Sequence, residues 1–96
     1  AVFACNDLMA MGALRAARAA GLNVPADVSI VGFDDIPLAS EVGPPLTTVA
    51  QPVEEMARIA VGLLLSRINR KRDLTQTERH VLSPFLVERE STAVPK

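Results

Sequence analysis

The sequence has no tryptophan or tyrosine, and only three of its 96 residues are phenylalanine. Nucleic-acid-binding sites often use aromatic side chains as surfaces on which bases stack. The charge is also nearly balanced: 10 basic and 11 acidic residues give a net charge of −1, so the chain has no long-range attraction for phosphate backbones. We therefore expect this segment not to bind nucleic acid by itself.

Cysteine is scarce, and long apolar runs are missing. The single Cys5 excludes an internal disulfide and a CxxC motif, and its place in an apolar strand predicts a small buried side chain. No run approaches the ~18 apolar residues of a membrane span, and no signal-peptide pattern is present. We expect a cytoplasmic protein with no membrane partner. Because the sequence opens inside a predicted strand, we also expect it to be a fragment.

Hydrophobic patterning predicts an α/β fold with a parallel sheet and β-α-β-β-α-β order. The first predicted helix, 8–21, follows a cap at Asp7, buries Leu8 and Leu14, and ends at Gly21. The four predicted strands cover residues 1–5, 28–33, 46–49 and 81–88. We expect residues 34–45 to be an irregular loop and residues 90–96 to be frayed.

The second predicted helix, 53–70, has the strongest periodicity in the chain. Its apolar side chains follow the i, i+3, i+4, i+7 pattern of a helix with one buried face. Three basic residues lie at its end: Arg70, Lys71 and Arg72. Positive charge at a helix C-terminus interacts favourably with the helix dipole, and this explains the three residues better than contact with DNA does. His80 stands alone, without partners at the spacing of a catalytic or metal site, so we expect neither a metal nor a cofactor.

Polar residues follow two of the predicted strands. Asn6 and Asp7 come after the first, and Asp34 and Asp35 come after the second. Ligands bind where the carboxyl ends of parallel strands meet, and the donor and acceptor groups of Asn6 and Asp34 suit a sugar hydroxyl. Alternatively, both residues simply cap turns, and spacing alone supports the two interpretations equally. We assign Asp7 and Asp35 to structural roles.

Three stretches of the sequence carry a family resemblance: CNDLMAMGALRAARAAGLNVPADVSIVGFDDIPLAS, PPLTTVAQPVEEMARIAVGLLL and LVERESTA. Their order and spacing resemble the C-terminal end of the lactose-repressor (LacI/GalR) family of bacterial transcription regulators, over essentially the whole chain. The resemblance implies part of a type I periplasmic-binding-protein-like fold, with residues 1–96 forming the C-terminal portion of the sensor domain. It also implies that operator DNA is contacted only through a helix-turn-helix domain outside this chain.

The resemblance also implies roles for individual residues. Ligand-binding positions of the family fall on Asn6 and Asp34, and on Val53 at the crossover between subdomains, where some members carry an aromatic residue. Gln51, next to the crossover, is a candidate for contact with either the ligand or the hinge, and the sequence does not separate the two. Homodimer contacts fall on Met11, Leu38 and Val42, while ordinary core packing is an equally open alternative for Met11. The implied function is a ligand-sensing domain of a repressor, with a sugar or sugar derivative as effector. The alternative of the same fold is a sugar-binding transport protein, whereas an α/β enzyme lacks any supporting motif.

Overall fold

The computed structural model describes residues 1–69 and 75–96, and it confirms the predicted β-α-β-β-α-β order. The elements are β1 (Val2–Phe3), α1 (Asp7–Ala19), β2 (Ile30–Asp34), β3 (Thr47–Ala50), α2 (Val53–Ile68) and β4 (Phe85–Val87). A short 3₁₀ helix, Pro37–Ser40, lies in the loop that was expected to be irregular. The predicted basic helix end, Arg70 to Arg72, lies outside the described residues, as does the start of the polar stretch that follows it.

The chain divides into two compact units. The first unit contains residues 1–51 and 84–96, and the second contains residues 52–83. The boundary between Gln51 and Pro52 falls in the predicted crossover segment. The first unit therefore contains the whole sheet and the two polar strand ends, and the second contains α2.

The sheet has the order β1-β2-β3-β4. The first three strands are parallel, so their carboxyl ends lie at one edge. The expectation of an all-parallel sheet is wrong for β4, which pairs antiparallel with β3. Phe85, the first residue of β4, lies opposite Ala50, the last residue of β3. The returning chain enters at the carboxyl end of β3, so it can only run back along that strand.

Small side chains form the core between α1 and the sheet. The buried apolar residues of this core are Ala4, Ala10, Leu14, Ala17, Ile30, Ala39 and Leu46. The face of α1 that points inward carries Asp7, Ala10, Leu14 and Ala17. Leu8 was predicted to be buried but is 67% exposed, because the buried face begins one residue earlier, at Asp7.

The ends of α1 differ in how well they could be predicted. Gly21 has φ 74° and, with Leu22, closes the last turn through backbone bonds to Arg18 and Ala17, which confirms the expected left-handed cap. At the other end, β1 stops at Phe3, and Cys5 lies in the bend that leads into α1. The prediction of a buried Cys5 is wrong, since its side chain is exposed there.

The C-terminal segment is more ordered than expected. Ser91 is fully buried, its Oγ donates to the Ile30 carbonyl at 2.6 Å, and it accepts a bond from the Thr47 amide at 2.8 Å. A further backbone bond joins the Ile30 amide to the Ser91 carbonyl. The prediction of a frayed 90–96 segment is therefore wrong at its start, because Ser91 links β2 to β3.

The second unit presents an apolar helix face. None of the α2 residues is buried, and six large apolar side chains on it are exposed: Val53, Met56, Val61, Leu64, Leu65 and Ile68.

Over residues 1–69 and 75–96, no helix combines the length and the apolar character needed to cross a membrane.

Candidate functional site

Two consecutive aspartates at the end of β2 have unusual backbone conformations. Asp34 has φ 113° and Asp35 has φ 55°, values that residues with a side chain rarely adopt. Such conformations typically persist only where surrounding contacts enforce them, and they cluster at functional sites. The end of β2 is therefore the first place to look for a ligand site.

Asp34 and Gln51 are brought together by strand pairing. Asp34 lies opposite Ala50 in the sheet, and Gln51 follows Ala50 directly. The Gln51 Nε2 atom donates to Asp34 Oδ1 at 2.6 Å. The second carboxylate oxygen of Asp34 has no hydrogen-bond partner within the described ranges, and the side chain is exposed. A ligand hydroxyl could therefore donate to that oxygen.

Asn6 lies at the same edge of the sheet, after β1. It is the N-cap of α1, with Oδ1 accepting from the Met9 amide at 2.8 Å. The capping alternative is therefore correct for its oxygen. Its Nδ2 group makes no hydrogen bond to any residue that the structure describes, and the residue is half-buried. Asn6 can thus offer a donor at the same edge of the sheet as the acceptor of Asp34.

Asp7 does not cap α1 as predicted. It is the first helical residue, and its side chain is fully buried. Oδ1 accepts from Thr48 Oγ1 at 2.5 Å, and Oδ2 accepts from the Ile36 amide at 2.8 Å. Gly32 leaves space for it, since a side-chain carbon there would overlap Asp7 Oδ1. The carboxylate therefore ties α1 to β3 and to the loop after β2.

Asp35 forms an ion pair that the sequence analysis did not identify. Arg89 Nη2 donates to Asp35 Oδ1 at 2.7 Å, while Nη1 donates to the Leu46 carbonyl at 2.9 Å. Both side chains of the pair are largely shielded from solvent. Arg89 belongs to the LVERESTA string of the family resemblance, which was the available signal, but a single charged residue between a predicted strand and a predicted tail does not by itself indicate a role.

The remaining predicted site residues lie elsewhere. Val53 begins α2 in the second unit and is 60% exposed. Met11 and Val42 are half-buried and line one shallow surface depression of about 200 Å³. Leu38, in the 3₁₀ helix, is 47% exposed and does not line that depression. The structure thus brings together two of the three predicted dimer residues.

No cluster suited to a metal ion occurs among residues 1–69 and 75–96. His80 lies 3.1 Å from Glu78, and both side chains are substantially exposed. An exposed pair of this kind is common on protein surfaces and contributes little to stability, so it does not indicate a functional site.

The fold and its polar strand ends define the class of protein. Three parallel strands present Asn6, Asp34 and Gln51 at one edge, as in α/β domains that bind small molecules. A family model described as the periplasmic binding protein-like domain matches residues 1–92, so the chain belongs to that family. Within that family, the chain is similar to segments of LacI-family transcription regulators, as the following comparisons show.

The chain is 53% identical over 94 residues to the HTH-type transcriptional repressor PurR of Proteus mirabilis, which covers 97% of this chain and 27% of that protein. The solved structure of the transcriptional regulator CelR with cellobiose matches with TM-score 0.88 and 47% identity, over 94% of this chain and 27% of that one. A LacI family transcriptional regulator from Enterococcus faecalis V583 with bound ribose matches with TM-score 0.89 and 42% identity, over 98% and 34%. The chain spans about a quarter of the length of its curated relatives.

Proposed function

We propose that residues 1–96 form the C-terminal portion of the effector-binding domain of a LacI-type repressor, with a sugar or sugar derivative as effector. The observation that carries the proposal is the two polar strand ends at one edge of the sheet: an exposed Asp34 carboxylate, and an Asn6 amide donor that has no partner among residues 1–69 and 75–96. The similar CelR and E. faecalis structures hold cellobiose and ribose. Their ligands support a sugar, although they do not select one.

The chemistry of the strand ends suits a sugar hydroxyl, which both donates and accepts. Asp34 Oδ2 accepts a charge-assisted bond, and Asn6 Nδ2 donates. Gln51 holds Asp34 Oδ1, so its proposed contribution to binding is to fix the carboxylate. Val53 is proposed as an apolar ligand contact on the family resemblance alone. In this proposal no residue acts as a catalyst, because binding alone changes the state of the regulator.

The full-length protein is proposed to act as a homodimer on operator DNA in the cytoplasm. This chain is proposed to contribute three residues to the dimer interface: Met11, Leu38 and Val42. Each of them presents partly exposed apolar surface. DNA binding is assigned to a helix-turn-helix domain outside residues 1–96, which agrees with the balanced charge of this segment. The three similar proteins described above are all transcription regulators, which favours this function over sugar transport.

Isothermal titration calorimetry on the full-length protein tests the site. Cellobiose and ribose serve as probes, and the tighter of the two is carried forward. Asp34→Ala should weaken binding by about 1.5–3 kcal/mol, the usual contribution of a hydrogen bond to a charged group. Glu41→Ala, which removes an exposed carboxylate from the loop before β3, should leave binding unchanged. Equal affinities for wild type and Asp34→Ala would contradict the assignment of the site.

A further inference from the structure

Arg89 is connected through Asp35 to Asp34, the proposed ligand contact. Its guanidinium group bonds Asp35 Oδ1 at 2.7 Å and the Leu46 carbonyl at 2.9 Å, and its backbone amide donates to Thr47 Oγ1 at 2.9 Å. Arg89 is thus anchored at three points. Asp35, which it holds, directly follows Asp34.

The segment after Asp34 is held at several points. In addition to the bond from Arg89, the Asp35 amide donates to Thr48 Oγ1 at 3.3 Å, and the Ile36 amide donates to the buried carboxylate of Asp7 at 2.8 Å. The bond from Arg89 is the shortest of these, and it is the only one of the three that holds the Asp35 side chain. These bonds fix the chain immediately beyond the unusual φ of Asp34.

The backbone of Asp34 needs such support. A φ of 113° is unfavourable for any residue with a Cβ, so an unrestrained chain would relax toward negative φ and turn the Asp34 side chain to a new direction. Gln51 bonds one carboxylate oxygen of Asp34 but leaves the backbone unrestrained. Pairing with Ala50 in β3 holds Asp34 in the sheet, and the bonds to Asp35 and Ile36 restrain the backbone that follows it.

We propose that Arg89 is a positioning residue for effector binding: through Asp35, it holds Asp34 in the conformation that presents its carboxylate to the sugar. This inference rests on the proposed function, since it assumes that Asp34 contacts the effector. Arg89 itself contacts no ligand in this account. Its planar group makes two directed bonds at once, which lysine cannot reproduce with the same geometry.

The inference predicts a specific pattern of affinities. If removal of the ion pair leaves roughly one molecule in ten with the competent Asp34 geometry, Arg89→Gln lowers sugar affinity about tenfold. Arg89→Lys keeps the charge and one of the two bonds, so its loss should be smaller, at about threefold. Arg18→Gln is the matched control, because Arg18 also donates to a backbone carbonyl, that of Gly43 at 2.9 Å, but at the far end of α1. The sugar affinity of the Arg18→Gln variant should equal that of the wild type.

A double-mutant cycle separates positioning from general destabilisation. Calorimetry on the full-length protein, with cellobiose or ribose as the probe, compares Arg89→Gln in the wild-type and Asp34→Ala backgrounds. Positioning through Asp34 predicts a tenfold loss in wild type and a change of less than about twofold in Asp34→Ala, because the group being positioned is gone. Thermal unfolding without ligand identifies folded variants, and Arg89→Lys replaces Arg89→Gln in the cycle if the latter is unfolded.

Three results would overturn the inference, and the third is distinguishable from the first two. Equal losses in both backgrounds, or no loss in wild type, would show that Arg89 does not act through Asp34 and would leave the proposed site intact. Unchanged affinity in Asp34→Ala alone would instead remove the proposed site, and the positioning role with it.

Discussion

Replacing Gly32 by alanine should strongly destabilise the first unit, because the added methyl group would enter occupied space. Gly32 is buried in β2, where a Cβ atom would overlap Asp7 Oδ1 and approach Leu46 Cδ2 to 3.0 Å. The Asp7 carboxylate cannot move away freely, since it is fully buried and bonded to Thr48 and Ile36. The backbone of Gly32 is not in the left-handed region, so the effect is steric.

The magnitude follows from two contributions. Overpacking typically destabilises a core by about 1–3 kcal/mol. Displacing Asp7 from one of its charged hydrogen bonds adds about 1.5–3 kcal/mol. We therefore expect Gly32→Ala to lower the free energy of unfolding by at least about 2.5 kcal/mol, which lowers Tm by roughly 5–10 °C in a domain of about 150–250 residues.

Gly12→Ala is the matched control, and it should change stability in the opposite direction. Gly12 lies on the exposed side of α1, and nothing lies within 4 Å of the position its Cβ would occupy. Alanine in a helix is favoured over glycine by about 0.5–1 kcal/mol. Thermal unfolding of full-length variants, followed by circular dichroism, measures both changes. A Gly32→Ala protein that melts at or above the wild-type temperature would refute the buried position of the Asp7 carboxylate.

Three further substitutions test other parts of the account. Ser91→Ala should destabilise by about 1–3 kcal/mol in urea unfolding, because it leaves the Thr47 amide and the Ile30 carbonyl without their buried partner; an unchanged midpoint would contradict that contact. Asp34→Gly should be more stable than Asp34→Ala by about 1 kcal/mol, since only glycine adopts φ 113° readily; the reverse order would remove the strain argument. Met11→Glu should shift the full-length protein toward monomer in analytical ultracentrifugation, and an unchanged dimer would place the interface elsewhere.

Periodic and turn-forming residues made much of the fold predictable. The order of elements follows from apolar patterning, and the end of α1 follows from Gly21, whose positive φ favours glycine. The direction of β4 was not predictable, because strand pairing depends on where the chain returns, which is a long-range property. Cys5 is exposed because β1 ends at Phe3, two residues earlier than predicted. Hydrophobic patterning does not locate the end of a strand to within two residues.

The site was partly predictable for a similar reason. Asn6 and Asp34 stand out because polar residues after apolar strands mark the ligand edge of a parallel sheet. The roles of Asp7, Arg89 and Ser91 do not follow from local sequence, since each has partners more than 25 positions away. Only the resemblance to a family indicated that the string containing Arg89 and Ser91 mattered.

A crystal structure of the full-length protein with bound cellobiose or ribose tests the central claim most directly, because it locates the sugar relative to Asp34. The account predicts an Asp34 carboxylate oxygen about 2.5–3.0 Å from a sugar hydroxyl, with Asn6 Nδ2 donating to the same molecule. A sugar bound with Asp34 still directed only to Gln51, and with Asn6 out of contact, would contradict it.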